Sequence, residues 1–505
     1  MFRKLLHKGA SYIMNKTAPQ TTEIQYLQRK ISQWLSSGYR VKQIEGELYY
    51  DGFHPILHRE KTTIGENGQI VTDEIAPNNK IVDNLYATIV DIKNNYLLSQ
   101  EICFETDNEQ FKKELDKLID SKFQLKMKNL GQKVLNNGIA WIYPYYNEKG
   151  DFKFKVFAGH SVLPFWLDEE HDELEYAIRY YEEEKKNSLT DERIKRVEIY
   201  TPEGIDNYIL VGNILLIDKD NPHVDYIMKD GKGYKWSDRI PLIAFRYNSR
   251  ELPLISRCKS MQDAINLITS NFVNVMDEDI QNTVIILENY DGENLNTFRS
   301  QLARTKAIKV RSESGSRGDV RTLRIDVNAD NYATVLSLLK SAMVQNCRAY
   351  NTEDLKMEGS PNNVQLKSAF LGLDLDANSA ISEFKASLDK LFWFIKCHLK
   401  ETGKGDFTDE QVKVFFNKDS LINESEIITN LTNLGMRVPN ELLLEECTFI
   451  NNPKKAQEMI EEEDRKMMDA LDPYAKVGQG GKGVSSNKKK VSTNQNTSQL
   501  MGGNQ

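Results

Sequence analysis

The chain has 505 residues, of which 40% are apolar and 28% charged, and it carries a formal net charge of −8. That length exceeds one ordinary core and predicts roughly two to four sub-domains. An acidic balance argues against a protein that works by gripping DNA, because grip comes from Lys and Arg neutralising phosphates. It does not argue against DNA passing by. No run approaches about 18 apolar residues, so no membrane span is expected. The basic stretch 1–16 lacks an apolar h-region and a small-residue cleavage site, so a signal peptide is not expected. Its Phe2, Leu5, Leu6 and Ile13 suit a short docking helix.

In chain order, Ile24, Leu27, Ile31, Trp34 and Leu35 recur at helical spacing over 21–36. A second helix should include 47–50 and end at Asp51-Gly52, and 64–68 reads as a turn in an exposed loop. Pro77 and Asn78-Asn79 are expected to open a helix whose buried face is Ile81, Leu85, Ile89, Ile92 and Tyr96. Another helix is expected over 111–136, closed by Asn137-Gly138. The period then changes to two. Phe152, Phe154 and Val156 alternate with Lys153 and Lys155, which predicts a half-buried strand paired with 139–146. Further strands are expected at 162–166, 175–181, 196–200, 207–211 and 241–245, with the charged 182–196 stretch as an exposed loop. This first half reads as α+β: helices, then an antiparallel meander.

The second half is dominated by helices. A helix over 256–280 would span about 37 Å. Its apolar face is Met261, Ala264, Ile265, Ile268, Phe272, Val275 and Met276. Its other face, with Gln262, Asn266, Asn271 and Asn274, is polar but mostly uncharged, and suits packing against copies of itself. A small insert should follow: strands at 283–288, 307–311 and 320–325, a helix at 293–304 and a flexible loop at 312–318. The insert is basic, with Arg299, Arg304, Lys306, Lys309, Arg311, Arg317, Arg321 and Arg324. A returning helix covers 329–351. No helix passes through Gly359-Ser360-Pro361-Asn362-Asn363, and a helix over 364–400 then runs about 55 Å, with a kink expected near Gly372, Asp374 and Asp376. A strand at 411–416 and helices at 424–434, 439–446 and 453–470 complete the pattern. Beyond Pro473 the chain has no Asp or Glu and should be disordered.

Signals for chemistry are weak. The chain has no G-x-x-x-x-G-K-[ST], H-E-x-x-H or G-x-S-x-G. Asp218-Lys219-Asp220 lacks the sixth-position Gly of a calcium loop, and Gly231-Lys232-Gly233 reads as a turn. His54 and His58 are spaced i, i+4 without a third ligand nearby. Cys103, Cys258, Cys347, Cys397 and Cys447 are odd in number and widely spaced, mostly within helix patterns, and read as buried thiols. No cofactor, metal or catalytic residue is expected. A helix, insert, helix, hinge and long helix suit a mechanical part.

At this point the residues resemble a known family. Tyr49-Tyr50-Asp51-Gly52-Phe53-His54-Pro55-Ile56-Leu57, the 77–84 stretch, Lys93-Asn94-Asn95-Tyr96-Leu97-Leu98, Arg239-Ile240-Pro241-Leu242-Ile243-Ala244-Phe245 and the hinge with its long helix over 359–399 are similar to portal proteins of tailed bacteriophages, the type found in siphophages and prophages of Gram-positive bacteria. The resemblance covers about 21–470. It implies a portal fold. Residues 1–20 would be a basic arm, 21–255 the wing, 256–280 and 329–351 the stem, and 281–328 the clip. Residues 352–363 would be the tunnel loop, 364–416 the long helix and return to the wing, 417–472 the crown and 473–505 a basic tail.

The same resemblance implies a homo-oligomeric ring, twelve subunits in the virion or thirteen in isolation, at one capsid vertex. Double-stranded DNA would pass through it, and its partners would be the terminase large subunit, major capsid and scaffolding proteins and a head–tail adaptor. No membrane is implied. The protein would sit in the virion, and in the host cytoplasm during assembly. Lys356, Glu358, Gly359, Ser360, Asn362 and Asn363 would face the DNA, with 359–363 the most mobile part. Arg299, Arg304, Arg311, Arg317 and Arg321 would dock partners at the clip. A ring of twelve would carry about −96 formal charges, a wall on which DNA slides. Replacing Glu358 and nearby acids with Lys should therefore slow packaging. The alternatives are another head–tail adaptor, which would be shorter, and a nucleic-acid enzyme, which would need clustered carboxylates or a phosphate loop.

Overall fold

The computed structural model describes residues 22–64, 68–73, 76–184, 193–229, 232–279, 283–288, 312–313, 316–317, 319–324, 329–350, 363–418 and 453–471. The chain divides into two units, 1–422 and 423–505. Helices α1 (Thr22–Leu35) and α2 (Gly38–Tyr50) open the first unit. Ser37 caps α2 by accepting from Arg40 N at 3.2 Å, and Gly52 leaves it at φ +84°. α1 buries Leu27, Ile31 and Trp34 against Tyr176, Ile178 and Val197 of the sheet.

Two helix expectations are corrected. The segment from Pro77 is not helical. α3 is Leu85–Leu98, with Asn84 as its cap, because the backbone before it is held by side chains from a distant helix. The single helix expected over 111–136 is two, α4 (Glu109–Leu118) and α5 (Ser121–Asn137). Asp120 divides them. Its side chain accepts from Phe123 N at 2.9 Å and so starts a new helix. α5 ends at Gly138, φ +80°, where a Cβ would come within 2.1 Å of the Glu251 carbonyl oxygen.

The strands follow the period-two reading. Ile139–Tyr146 pairs antiparallel with Phe152–Ala158 on one side and Ile243–Arg246 on the other. Phe152 and Phe154 are buried while Lys153 and Lys155 are exposed. A second sheet runs Val162–Trp166, Leu174–Glu184, Arg193–Thr201, Gly204–Val211 and Ile214–Ile217 in sequence order. The loop expected over 182–196 is narrower than its charge suggests. Glu182 pairs with Lys195 and Glu184 with Arg193, and the remaining 185–192 lie outside the described residues. Trp141, Tyr86, Phe111, Phe123, Phe245 and Phe384 are among the largest fully buried side chains.

After a short 3-10 turn at Leu254–Arg257 come α6 (Lys259–Asp279) and α7 (Ala329–Asn346). Between them Thr283–Glu288 pairs antiparallel with Asp319–Arg324. Ser312–Glu313 pairs with Ser316–Arg317 where only a loop was expected. The expected elements at 293–304 and 307–311 lie outside the described residues. α8 (Asn363–Glu401) is 39 residues, about 58 Å, and continues as helix through Gly372, Asp374 and Asp376. It buries Phe384, Leu388, Leu391, Ile395 and Leu399. Lys413–Phe415 then pairs antiparallel with Cys103–Glu105, bringing the chain back to its first half. Cys103 is therefore in a strand, not a helix. Cys258 and Cys347 are buried, Cys103 and Cys397 half-buried. In the second unit α9 spans Pro453–Leu471, and 424–434, 439–446, Cys447 and the tail lie outside the described residues. No helix among the described residues is long and apolar enough to cross a membrane.

Candidate functional site at the root of the helix pair

α6 turns its polar side inward. Gln262, Asn266, Ser270 and Asn274 recur every fourth residue and are at most 2% exposed. They face the non-helical run before α3 and, at Gln262, the first turn of α3. Asn79 N donates to Asn274 Oδ1 at 2.6 Å, Ile81 N to Ser270 Oγ at 2.9 Å, Asp83 N to Asn266 Oδ1 at 3.0 Å and Tyr86 N to Gln262 Oε1 at 2.9 Å. Two extended residues advance about 6.6 Å and four helical residues about 6.0 Å, so the two repeats stay in step. Buried backbone N–H groups must find partners. Here the side chains of α6 supply them, which is why 77–84 need not coil. The sequence expectation that this face meets other copies is corrected: it meets the chain's own backbone.

His54 completes this seam. Asn266 Oδ1 already accepts from Asp83 N and Gln262 Nε2. Its Nδ2 therefore donates to His54 Nδ1 at 2.7 Å, and His54 Nε2–H donates to the Tyr49 carbonyl at 3.1 Å. Both ring nitrogens are engaged, so His54 is a neutral core histidine and not a ligand. Burial holds its pKa below the ordinary 6.5. Asn84 Nδ2 donates to the carbonyls of Tyr49 and Tyr50, and Tyr49 O–H donates to Asp263 on α6 at 2.6 Å.

A buried ion pair lies where α3, α7 and α8 meet. Lys93 Nζ is 2.8 Å from Asp376 Oδ2, and their side chains are 4% and 8% exposed. The same ammonium donates to the carbonyls of Cys347 at 2.8 Å and Arg348 at 3.2 Å, just past the end of α7. Tyr247 O–H donates to Asp376 at 2.6 Å, and the Arg348 guanidinium is 3.6 Å away. Burial lowers the Lys93 pKa, and Asp376 opposes that. Burial, then Asp376, pushes Tyr247 well above the phenol range. Arg348 is itself at φ +52°, a left-handed conformation for a bulky residue. Lys93 thus ties the exit of α7 to α8, on either side of 351–362. Beside it Tyr350 packs on Phe370, ring centroids 4.5 Å apart, and Tyr96 O–H donates to Asp374 at 2.6 Å.

Four apolar side chains of the helix pair are exposed. Leu267 and Met276 on α6 are 41% and 49% exposed, and Val335 and Leu338 on α7 are 43% and 65% exposed. Phe272 meets Tyr332 across the pair at 5.1 Å.

Of the residues expected to face DNA, Lys356, Glu358, Gly359, Ser360 and Asn362 lie outside the described residues, and Asn363 begins α8. Arg299, Arg304 and Arg311 also lie outside them. Arg317 is in the Ser316–Arg317 strand, and Arg321 stands opposite Ile286 in the Thr283–Glu288 pairing. Among the described residues no group of His, Cys, Asp and Glu could hold a metal ion. Asp218 is instead paired with Arg196 at 2.6 Å. Sequence reasoning marks Lys93 only as part of a familiar segment. Its position among Ile89, Val90 and Tyr96 on a buried helix is the signal that it has a buried partner.

Comparison with known proteins agrees with this geometry. The family model for "Phage portal protein, SPP1 Gp6-like" matches residues 39–469. The portal protein of Bacillus phage SPP1 is 27% identical over 427 residues, covering 83% of each chain. The portal protein of Clostridium phage phiCD119 is 25% identical over 399 residues, covering 77% of this chain and 85% of the relative. The matched span takes in the α6 seam, the Lys93 ion pair and α8, and the chain belongs to the SPP1 Gp6-like family of phage portal proteins.

Proposed function

We propose that the chain forms a closed homo-oligomeric ring at one capsid vertex, through which double-stranded DNA is packaged and later ejected. Family membership over most of the chain carries this reading. The exposed apolar side chains of Leu267, Met276, Val335 and Leu338 support the ring, because apolar groups left open on one chain suit contacts with another copy. In this reading α6 and α7 are the stem, 281–328 the clip, 21–255 with the 413–415 strand the wing, and 417–472 the crown. The 352–363 segment is the tunnel loop, with Lys356, Glu358, Gly359, Ser360, Asn362 and Asn363 toward DNA. Arg299, Arg304, Arg311, Arg317 and Arg321 dock first the terminase large subunit and then the head–tail adaptor. Capsid and scaffolding proteins contact the ring during assembly in the host cytoplasm.

The Lys93–Asp376 pair gives the tunnel loop fixed roots in this reading, since it clamps residues on both sides of the loop. Light scattering with negative-stain microscopy tests the proposal. Twelve chains of 58.1 kDa give a ring of roughly 0.7 MDa. A monomer with no ring at any concentration or salt would overturn it.

A further inference from the structure

A cavity of about 430 Å³ opens at the start of α5, beside the turn before the Phe152–Ala158 strand and the end of α8. Lys117, Lys122, Lys126, Lys153 and Lys404 line it, in a chain whose net charge is negative. The two lining acids are committed elsewhere. Asp120 caps α5 through Phe123 N at 2.9 Å, and Asp151 accepts from Asn147 Nδ2 at 3.0 Å. Lys117 and Lys404 share Glu114, at 2.5 and 3.5 Å. Lys122, Lys126 and Lys153 have no carboxylate within ion-pair distance among the described residues.

Lys153 and Lys122 both repel the Lys126 ammonium. Lys126 is pushed below its ordinary value by burial and then by Lys153 and Lys122, with Asp120 opposing. It is fixed in place by donating to the Phe154 carbonyl. The wall opposite is His398, 5% exposed and stacked on Phe152 with ring centroids 4.5 Å apart. Burial, and then Lys404, holds its pKa at about 4, so the ring is neutral near pH 7. Tyr146 Oη is 2.8 Å from Nδ1; with the phenol as donor the neutral ring carries its proton on Nε2, for which no hydrogen-bond partner is found among the described residues.

We propose that this cavity binds a phosphate-bearing anion, with Lys122, Lys126 and Lys153 on its oxygens and His398 Nε2–H as a neutral donor. Several cations around one volume suit a multiply charged group with several oxygens better than a single carboxylate. The volume lies in the range of small-ligand pockets and admits a phosphate with a modest appendage. The phosphate comes either from a free nucleotide or pyrophosphate or from a nucleic-acid strand.

Titration calorimetry on the full chain at low ionic strength tests this with pyrophosphate, a nucleoside triphosphate and a short oligodeoxynucleotide. One saturable site per chain is expected. Binding should weaken with salt and fall at least about tenfold in K122A/K153A. Both lysines are exposed, so the melting temperature of that variant should not change. Binding of the two small ligands alone assigns the free anion, and binding of the oligonucleotide lost in the same variant assigns the strand. Either supports the site. No heat with any probe, or equal affinity in K122A/K153A, overturns it.

Discussion

Along α6, Gln262, Asn266, Ser270 and Asn274 are buried against the chain's own 79–86 backbone, whereas Leu267 and Met276 stand 41% and 49% exposed. A helix of a lone globular protein has this the other way round. The polar face is bonded to the chain's own backbone at four positions, and of its four side chains Asn274 Nδ2 alone lacks a hydrogen-bond partner among the described residues. The two exposed apolar side chains remain open to a neighbour. The difference gives the two faces separate roles. The seam fixes α6 to its own chain, and the exposed apolar side chains are the ones we propose for contact with other subunits.

The buried ion pair is the place where this scheme is most easily broken. Asp376→Leu would strand the Lys93 ammonium in the core, and breaking one partner of a buried pair typically costs about 3–5 kcal/mol. Urea unfolding should show a loss of that order, with Lys93→Met less damaging because Asp376 keeps Tyr247 and Arg348. A loss below about 0.5 kcal/mol in D376L would show that the pair is not a structural tie.

Next in size is the seam. Asn266→Leu leaves the Asp83 N–H and His54 Nδ1 without their partners, and an unsatisfied buried group costs about 1–3 kcal/mol. Leu267→Ala, on the adjacent exposed position, should change the stability of the isolated chain by about 0.5 kcal/mol or less. Comparable losses for the two would erase the distinction between the faces.

Acid sharpens the same contrast more gently. His54, His160 and His398 all have folded pKa values below the ordinary 6.5, and the last two sit at about 4. Between pH 6.5 and 4 the unfolded chain therefore binds more protons, so stability falls as pH falls through that window. His223, raised by Asp206, works in the opposite sense. In N266L the His54 ring no longer has to stay neutral to accept from Asn266, so its acid sensitivity should be smaller than in the parent. Thermal melts from pH 7 to 4 measure both slopes, and an unchanged slope in N266L would dissociate His54 from the seam.

Much of the fold could be read from local pattern. The alternation Phe152–Val156, the turn at Asn147–Gly150 and the long apolar repeat of α8 each carry their own signal, and each element stands as read. The misreadings share a different origin. Residues 77–84 carry helix-like spacing, but their N–H groups are claimed by side chains nearly 200 positions later, a competition no local window contains. Asp120 has the apolar period running on both sides of it, yet its side chain caps a new helix. The polar face of α6 was legible as a packed face, since its residues are uncharged, yet which partner it meets depends on tertiary contacts. Lys93 and Asp376 are nearly 300 residues apart, and nothing in either neighbourhood names the other. The residues proposed for DNA and partner contact rest on resemblance, because a loop that touches an outside molecule needs no internal pattern.

The native mass of L267D/L338D tests the contrast along α6 and α7 most directly. Charges placed on the open stripe, away from the seam, should leave the melting temperature of the chain unchanged. They should shift light scattering from a ring of roughly 0.7 MDa to single chains of 58.1 kDa. Rings of unaltered mass in that variant would contradict the assignment of the apolar stripe to the subunit interface.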